Sequence, residues 1–140
     1  MKGIVITTKD EIYIKDFSNP LYLSLGEAVD GYIEVVRPMF LNPPLCMVVN
    51  EEGLYKELEM NRFGSFLYGY QMHGNPIMGN VVITAEGYTE NGVDFVEPDE
   101  KSLADIFAVL KGLSISYRDG DKEVEFKLKD ITNEKGEQKQ

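Results

Sequence analysis

The chain has 140 residues, enough for one domain with a single sizeable core and too few for two comfortable ones. Its 43% hydrophobic residues are ordinary for a globular protein, and no apolar run approaches the roughly 18 to 20 residues that a membrane-spanning helix needs. A net charge of −10 argues against direct binding of nucleic acid, because neutralising phosphates requires clustered lysine and arginine. We therefore expect a cytoplasmic protein that binds other proteins, basic ones above all, or a small molecule.

The first half of the chain predicts a hairpin, a helix and two strands. Residues 3–7 and 11–17 are short β-branched and aromatic runs with a polar turn between them, which indicates a hairpin. Apolar residues at helical spacing follow Pro20, and Gly31 is placed to end that helix. Two further strands are predicted at residues 32–36 and 45–49.

Residues 48–61, VVNEEGLYKELEMN, place four glutamates directly after the second of these strands. Asn50 is suited to cap the following turn, and Glu51 and Glu52 lie in that first turn, where a helix dipole favours negative charge. We interpret the stretch as a capped junction between a strand and a short helical turn rather than an active site. The apolar residues expected to pack inward are Leu54, Tyr55 and Leu58.

The second half predicts two helices, a strand and a hairpin. A helix begins at Asn61 and presents Phe63, Phe66, Leu67 and Tyr70 on one face. Residues 80–87 form the clearest strand, and the run ADIFAVL after Pro98 and Asp99 predicts a helix. Alternation on both sides of Asp119 and Gly120 predicts a final hairpin.

These elements indicate an α+β fold with a mostly antiparallel mixed sheet and two or three helices. Residues 1–130 are predicted to form a single domain. Residues 131–140 are polar, lack aromatic side chains and offer little to bury, so they are predicted to be a disordered tail. The order of the strands does not follow from the sequence.

Catalytic chemistry finds little support. His73 is the only histidine and Cys46 the only cysteine, and Cys46 lies among aliphatic neighbours as a small buried hydrophobe would. A structural zinc site of Cys and His ligands is excluded, whereas a metal site of His73 with two or three carboxylates stays open. An EF-hand-like calcium loop in DGDKEVEFKLKD is rejected because Val124 stands where the loop requires glycine. We expect no catalytic residues, no metal and no cofactor.

Three runs give the chain a family resemblance: YIEVVRP (32–38), VVNEEGL (48–54) and GNPIMGNVVIT (74–84), with Asn61 between the second and third. Over roughly residues 30–87 the sequence resembles a family of small domains of unknown function carried by phages and mobile elements of anaerobic gut-type bacteria. Some relatives are thought to be anti-CRISPR inhibitors of RNA-guided nucleases. The resemblance therefore implies a soluble protein that helps a mobile element to evade host defence, and it brings no catalytic residues.

Our leading hypothesis is a non-enzymatic protein that inhibits a host defence protein, most of all an RNA-guided nuclease, by direct stoichiometric binding. An acidic domain can be steered into the positive nucleic-acid channel of such an enzyme. The residues predicted to form the binding face are the acidic ones of the segment with the largest charge imbalance: Glu86, Glu90, Asp94, Glu97, Asp99, Glu100 and Asp105. A secondary set is Asn50, Glu51, Glu52, Asn61 and His73.

Three other interpretations stay open. The acidic run is often no more than a solvated surface that keeps a protein soluble. A protein that sequesters a nucleotide signal would use the aromatic segment around residues 63–76, with Tyr68, Tyr70, His73 and Asn75 around the base and Lys56 and Arg62 as the nearby cations. A plain structural or regulatory module of the mobile element is the third.

Overall fold

The computed structural model describes residues 1–137, which form nine strands and five helices. In chain order the elements are β1 (Lys2–Ile6), β2 (Glu11–Asp16), α1 (Leu21–Val29), β3 (Ile33–Val36), β4 (Leu45–Asn50), α2 (Arg62–Tyr68), α3 (Tyr70–His73), β5 (Val81–Thr89), β6 (Gly92–Val96), α4 (Glu100–Gly112), β7 (Ser114–Asp119), β8 (Lys122–Lys127), β9 (Lys129–Asp130) and α5 (Thr132–Glu137). No helix within these residues is long and apolar enough to cross a membrane.

Seven of the strands form one sheet in the order β3-β4-β5-β1-β2-β9, and β6 pairs with the end of β5 that extends beyond β1. Every pairing in it is antiparallel except that of β2 with β9. Strands β7 and β8 form a separate hairpin. The predicted α+β fold with a mostly antiparallel mixed sheet is therefore confirmed, although α3 and α5 raise the number of helices above the two or three expected.

Helices cover both faces of the sheet because the central strands are apolar on both sides. In β1, Ile4 and Ile6 point to the face that holds α2 and α4, whereas Val5 points to the face that holds α1. Phe63 of α2 and Phe107 of α4 are core residues of the first face. The second face buries Phe17, Leu25, Val29, Val48 and Val82.

Local signals that the sequence carries are confirmed at several element ends. Helix α1 follows Pro20 as predicted, but its left-handed cap is Asp30, with φ of 64°, and not the predicted Gly31, whose backbone is extended. Asn61 is the N-cap of α2, as predicted. The final hairpin is also present, with Asp119 opposite Lys122 next to the turn.

The short turn predicted after β4 is present, since residues 51–57 run through successive turns and the Lys56 N–H donates to the Glu52 carbonyl at 2.9 Å. The predicted packing is wrong, because Leu54 and Tyr55 are 52% and 90% exposed rather than packed inward. Gly53 lies so close to the backbone of Met78 that a Cβ there would be 2.7 Å from the Met78 carbonyl oxygen. Glu57 has a left-handed φ of 54°, which a regular helix does not accommodate.

The structure also corrects the predicted start of the disordered tail at residue 131. Ile131 is a core residue, and its N–H donates to the Ile12 carbonyl at 2.9 Å. Helix α5 follows, and the Thr132 hydroxyl accepts a hydrogen bond from the Ile14 N–H. These bonds cover part of the outer edge of β2, which composition alone could not indicate. Residues 138–140 of the predicted tail lie outside the described residues.

Candidate functional site

The predicted acidic face is distributed over three elements. Glu86 is on β5, Glu90 lies in the turn after β5, and Asp94 is on β6. Glu97 follows β6, and the remaining residues, Asp99, Glu100 and Asp105, belong to the cap and body of α4. The structure therefore spreads the seven carboxylates along the β5–β6 hairpin and α4 and assigns several of them to intramolecular contacts.

Two of the carboxylates on α4 have local structural roles. Asp99 is the N-cap, and it accepts hydrogen bonds from the Ser102 N–H at 3.0 Å and from the Ser102 hydroxyl at 2.9 Å. These bonds hold the pKa of Asp99 below its usual range. Asp105 pairs with Lys101 one turn away, with Nζ and Oδ2 2.8 Å apart.

Contacts of the same kind engage three further carboxylates. Glu97 accepts a hydrogen bond from the Lys2 N–H at 2.9 Å, and Glu100 lies 3.9 Å from the Lys2 ammonium. Glu86 is mostly buried and pairs with Arg37, with Oε1 and Nε 2.8 Å apart. Glu86, Glu97 and Glu100 therefore already have intramolecular partners, which would compete with contacts to another protein.

The tip of the β5–β6 hairpin is different. Glu90 and Asp94 are exposed and neither forms an ion pair within residues 1–137, although Asp94 accepts a hydrogen bond from the Phe95 N–H at 2.7 Å. Tyr88 and Val93 lie opposite each other across the two strands and are 91% and 52% exposed. We call Tyr88, Glu90, Val93 and Asp94 the acidic hairpin tip: an apolar cross-strand pair with Glu90 in the adjoining turn and Asp94 next to Val93 on the other face of the hairpin.

A cleft of 510 Å³ continues from this tip toward the loop between β3 and β4. Tyr88, Val93, Pro43 and Pro44 are among the residues that line it. The Arg37–Glu86 ion pair also lines the cleft. The tip and cleft together provide an exposed apolar surface with a charged border.

Two members of the secondary set are committed to the fold. The Asn50 amide nitrogen donates to the carbonyls of Val29 and Asp30, at 2.9 and 3.0 Å, and its oxygen accepts from the Glu52 N–H. Asn61 is completely buried and makes three hydrogen bonds of the same kind. The predicted turn cap at Asn50 is confirmed, and neither amide is available to a partner.

The other three members, Glu51, Glu52 and His73, are exposed. The imidazole of His73 stacks on the ring of Tyr68, with centroids 4.6 Å apart. Across residues 1–137 no three Cys, His, Asp or Glu side chains are close enough together to hold a metal ion. The open hypothesis of a site of His73 with carboxylates has no ligand cluster in this part of the chain.

The residues proposed for a nucleotide do not share one pocket. Tyr70 lines a small cavity of 180 Å³ with Phe40 and Met72, whereas Tyr68 and Asn75 line a separate one of 260 Å³. Arg62 forms an ion pair with Asp10, and its guanidinium lies 3.9 Å from the centroid of the Phe126 ring. The geometry of the described residues therefore does not favour nucleotide sequestration.

Cys46 is fully buried in β4. Burial raises the pKa of its thiol to about 12, and the nearby charge of Glu86 acts in the same direction. The side chain fills space in the core, as expected for a thiol among aliphatic residues.

Sequence reasoning overlooked the apolar part of the hairpin tip. The signal for it was present, since Asn91 and Gly92 between alternating residues are typical of a tight hairpin turn, and Gly92 has a φ of 92°. A second missed feature is an exposed stack of Phe40 on Phe66, with centroids 5.3 Å apart. The helical pattern places Phe66 on one face with Phe63 and Leu67, yet Phe66 is 41% exposed whereas those two are buried.

Comparison with known proteins places most of the chain in one family. The profile of DUF3846, described as a domain of unknown function, matches residues 1–108. No curated protein and no solved structure is significantly similar to the chain. The match includes all of the main sheet except β9, and it includes the acidic hairpin tip. The chain therefore belongs to the DUF3846 family of domains of unknown function.

Proposed function

We propose that the protein is a non-enzymatic binding protein that attaches to a basic surface of a host defence protein through the acidic hairpin tip. The observation that carries this proposal is the exposed Tyr88–Val93 pair at the end of a hairpin that also exposes the carboxylates of Glu90 and Asp94, neither of which forms an ion pair within residues 1–137. Large aromatic side chains that are surrounded by a polar rim commonly supply much of the binding energy at protein interfaces.

Charge supports the choice of a basic partner. The chain carries a net charge of −10, so long-range attraction would speed its encounter with a positive surface. An RNA-guided nuclease has such a surface in the channel that holds its heteroduplex. Together with the resemblance to phage-borne domains, this charge makes an RNA-guided nuclease our first candidate, and the protein would act by occupying that channel in a one-to-one complex.

The first experiment measures binding of the purified protein to a Cas9-type nuclease loaded with guide RNA, at several salt concentrations. Replacing Tyr88 by alanine is expected to weaken binding at least tenfold, since truncating an aromatic anchor typically costs about 2 kcal/mol or more. The charge variant E90Q/D94N is expected to slow association and to reduce the dependence on salt.

A matched control comes from the β7–β8 hairpin. Asp121 and Glu123 are exposed and make no ion pair within residues 1–137, so D121N/E123Q removes the same charge from another surface. It is expected to leave binding nearly unchanged. Equal effects of the two charge variants would show that net charge acts without a defined site, and affinity that ignores salt would refute an electrostatic contact.

The second experiment tests the biological role. The protein is expressed in bacteria that carry one defined RNA-guided nuclease and a guide against an incoming plasmid. Inhibition predicts that plasmid establishment is rescued by the wild-type protein and by D121N/E123Q, but not by Y88A. Lack of rescue, with no binding to the loaded or unloaded nuclease, would remove the nuclease as a target.

A further inference from the structure

Strand β3 leaves one edge of the main sheet open. It is the terminal strand on that side, and within residues 1–137 its only partner is β4. On the opposite side of the sheet, the two-residue strand β9 and the start of α5 bond to the edge of β2, and β6 is a second strand whose only partner among the described residues is β5. An open strand edge carries backbone donors and acceptors that another extended chain can use.

The alternation of hydrogen-bonded and non-hydrogen-bonded pairs between β3 and β4 shows which backbone groups of β3 face outward. The Glu51 N–H donates to the Tyr32 carbonyl at 2.9 Å, in line with the register that places Ile33 opposite Asn50. Since hydrogen-bonded and non-bonded pairs alternate in an antiparallel ladder, Glu34 and Val36 bond to β4. The N–H and C=O groups of Ile33 and Val35 therefore point away from the sheet.

A cavity flanks this edge on each face of the sheet. On the α1 side, Tyr22, Leu23 and Ile33 line a cavity of 580 Å³. On the other side, Glu34, Val36 and Tyr68 line the cavity of 260 Å³. A strand added to β3 would thus place alternate side chains into two different environments, one rich in apolar side chains and one next to a carboxylate.

Negative charge predominates around the β3 edge. Among the residues that line the two cavities, Lys56 is the single cation. Four exposed carboxylates line them as well, and within residues 1–137 none of the four forms an ion pair or a side-chain hydrogen bond: Glu27, Asp30, Glu34 and Glu51. The complement to this surface is a basic chain.

The same charge disfavours a second copy of this protein. A two-fold antiparallel pair of β3 strands that uses both Ile33 and Val35 places the two copies of Glu34 directly opposite each other. They would lie in a non-hydrogen-bonded position, where side chains approach most closely and like charges are destabilising. A lysine or arginine in that position would instead form a cross-strand ion pair.

We propose that β3 is a docking edge for an extended basic segment of a partner protein, which adds to the sheet as an antiparallel strand. The segment places Lys or Arg opposite Glu34, and its neighbouring residues exchange hydrogen bonds with Ile33 and Val35. The side chains of those neighbours are apolar and enter the cavity beside α1. This edge is separate from the acidic hairpin tip, so the two proposals stand or fall independently.

The probe is a synthetic peptide of about seven residues that alternates valine and lysine, with both ends blocked, and the control alternates valine and glutamate. Amide chemical shifts of the full chain are recorded by NMR during titration, which detects weak binding. Saturable shifts are expected at Ile33 and Val35 with the lysine peptide, decreasing as salt is added, and none with the glutamate peptide. Shifts confined to other residues, or no shifts, would overturn the proposal.

Methylated peptides separate strand addition from simple charge attraction. Methylation of the backbone nitrogens of the valines removes the N–H donors that face β3 and is expected to abolish binding. Methylation of the backbone nitrogens of the lysines removes only N–H groups that point away from β3, and the affinity is expected to stay within about threefold of that of the unmethylated peptide. The two methylated peptides carry the same charge, so they differ only in which backbone donors are removed. An equal loss of affinity for both would refute strand pairing at β3.

Two protein variants complete the test. Val35→Pro removes an N–H that makes no bond within the sheet, a change that edge strands tolerate, and it is expected to prevent binding while the amide spectrum stays folded. The combined variant E27Q/D30N/E34Q/E51Q is expected to weaken binding about tenfold or more.

Should Val35→Pro unfold, the methylated peptides still decide the question. If the Ile33 and Val35 shifts instead depend on protein concentration without peptide, a second copy occupies the edge and the proposal is refuted.

Discussion

Replacing Asn61 by alanine is expected to destabilise the protein by about 3 kcal/mol. Its side chain is completely buried and makes three hydrogen bonds: the amide nitrogen donates to the Ile6 and Gly79 carbonyls, at 2.9 and 3.0 Å, and the oxygen accepts from the Gly64 N–H at 2.8 Å. Losing the bonds to two buried carbonyls costs about 1 kcal/mol each, and losing the cap of α2 costs about 1 kcal/mol more.

The assay is urea denaturation followed by circular dichroism, with the loss read from the midpoint at an unchanged slope. Asn75→Ala is the matched control, because Asn75 is exposed and its side chain makes no hydrogen bond within residues 1–137. Its effect is expected to stay within about 0.5 kcal/mol. A loss below about 1 kcal/mol for Asn61→Ala would refute the assigned role.

Asn61→Asp sharpens the same test, because it keeps the oxygen that caps α2 and turns the donor into an oxygen that faces two carbonyls. At neutral pH a buried negative charge results, so N61D is expected to be less stable than N61A. Burial raises the pKa of the new carboxyl in the folded state, so the penalty should shrink as the pH falls and the group becomes protonated. A pH-independent difference between the two variants would contradict this reasoning.

Three further outcomes are expected. Hydrogen bonds from Ser102 lower the pKa of Asp99 below its ordinary 3.8, so its contribution to stability is present above that pH and is lost as the pH falls through the folded-state pKa; D99N, measured by acid denaturation, should lack this dependence. Cys46, with its pKa raised to about 12 by burial, should react with a thiol reagent at pH 8 only after urea is added. Leu25→Ala should cost about 2 to 5 kcal/mol in urea denaturation, whereas Leu23→Ala on the exposed side of α1 should cost under about 0.5 kcal/mol.

Local features of the fold could be predicted from the sequence because each depends on residues that are neighbours in the chain. The first hairpin, the cap at Asn61 and the last hairpin are of this kind. Strand order depends on distant pairs such as Ile4 with Ile83 and Ile12 with Asp130, which leave no local signal. Residues 131 and 132 also bond to the distant Ile12 and Ile14, and because such contacts leave no local signal, the sequence predicts a tail where the structure has ordered residues.

The acidic surface was only partly predictable for a related reason. Composition counts Glu86, Asp99 and Asp105 equally with Glu90, but the first three are used by Arg37, by a helix cap and by a lysine one turn away. Whether a carboxylate is available to a partner depends on those contacts. The open edge at β3 could not be inferred at all, since it is a property of strand order.

The residues that cover the β2 edge reduce the number of edges through which other chains can associate with the sheet. The residues that close β2, from Lys129 to Thr132, lie beyond the part of the chain that matches the family, whereas β3 lies within it. Within residues 1–137, β6 also has a single partner strand, β5, so β3 and β6 are the strands at which another chain could still pair. Covering β2 thus removes one of the edges through which the sheet could grow into a fibre, and the residues that do so lie outside the family match.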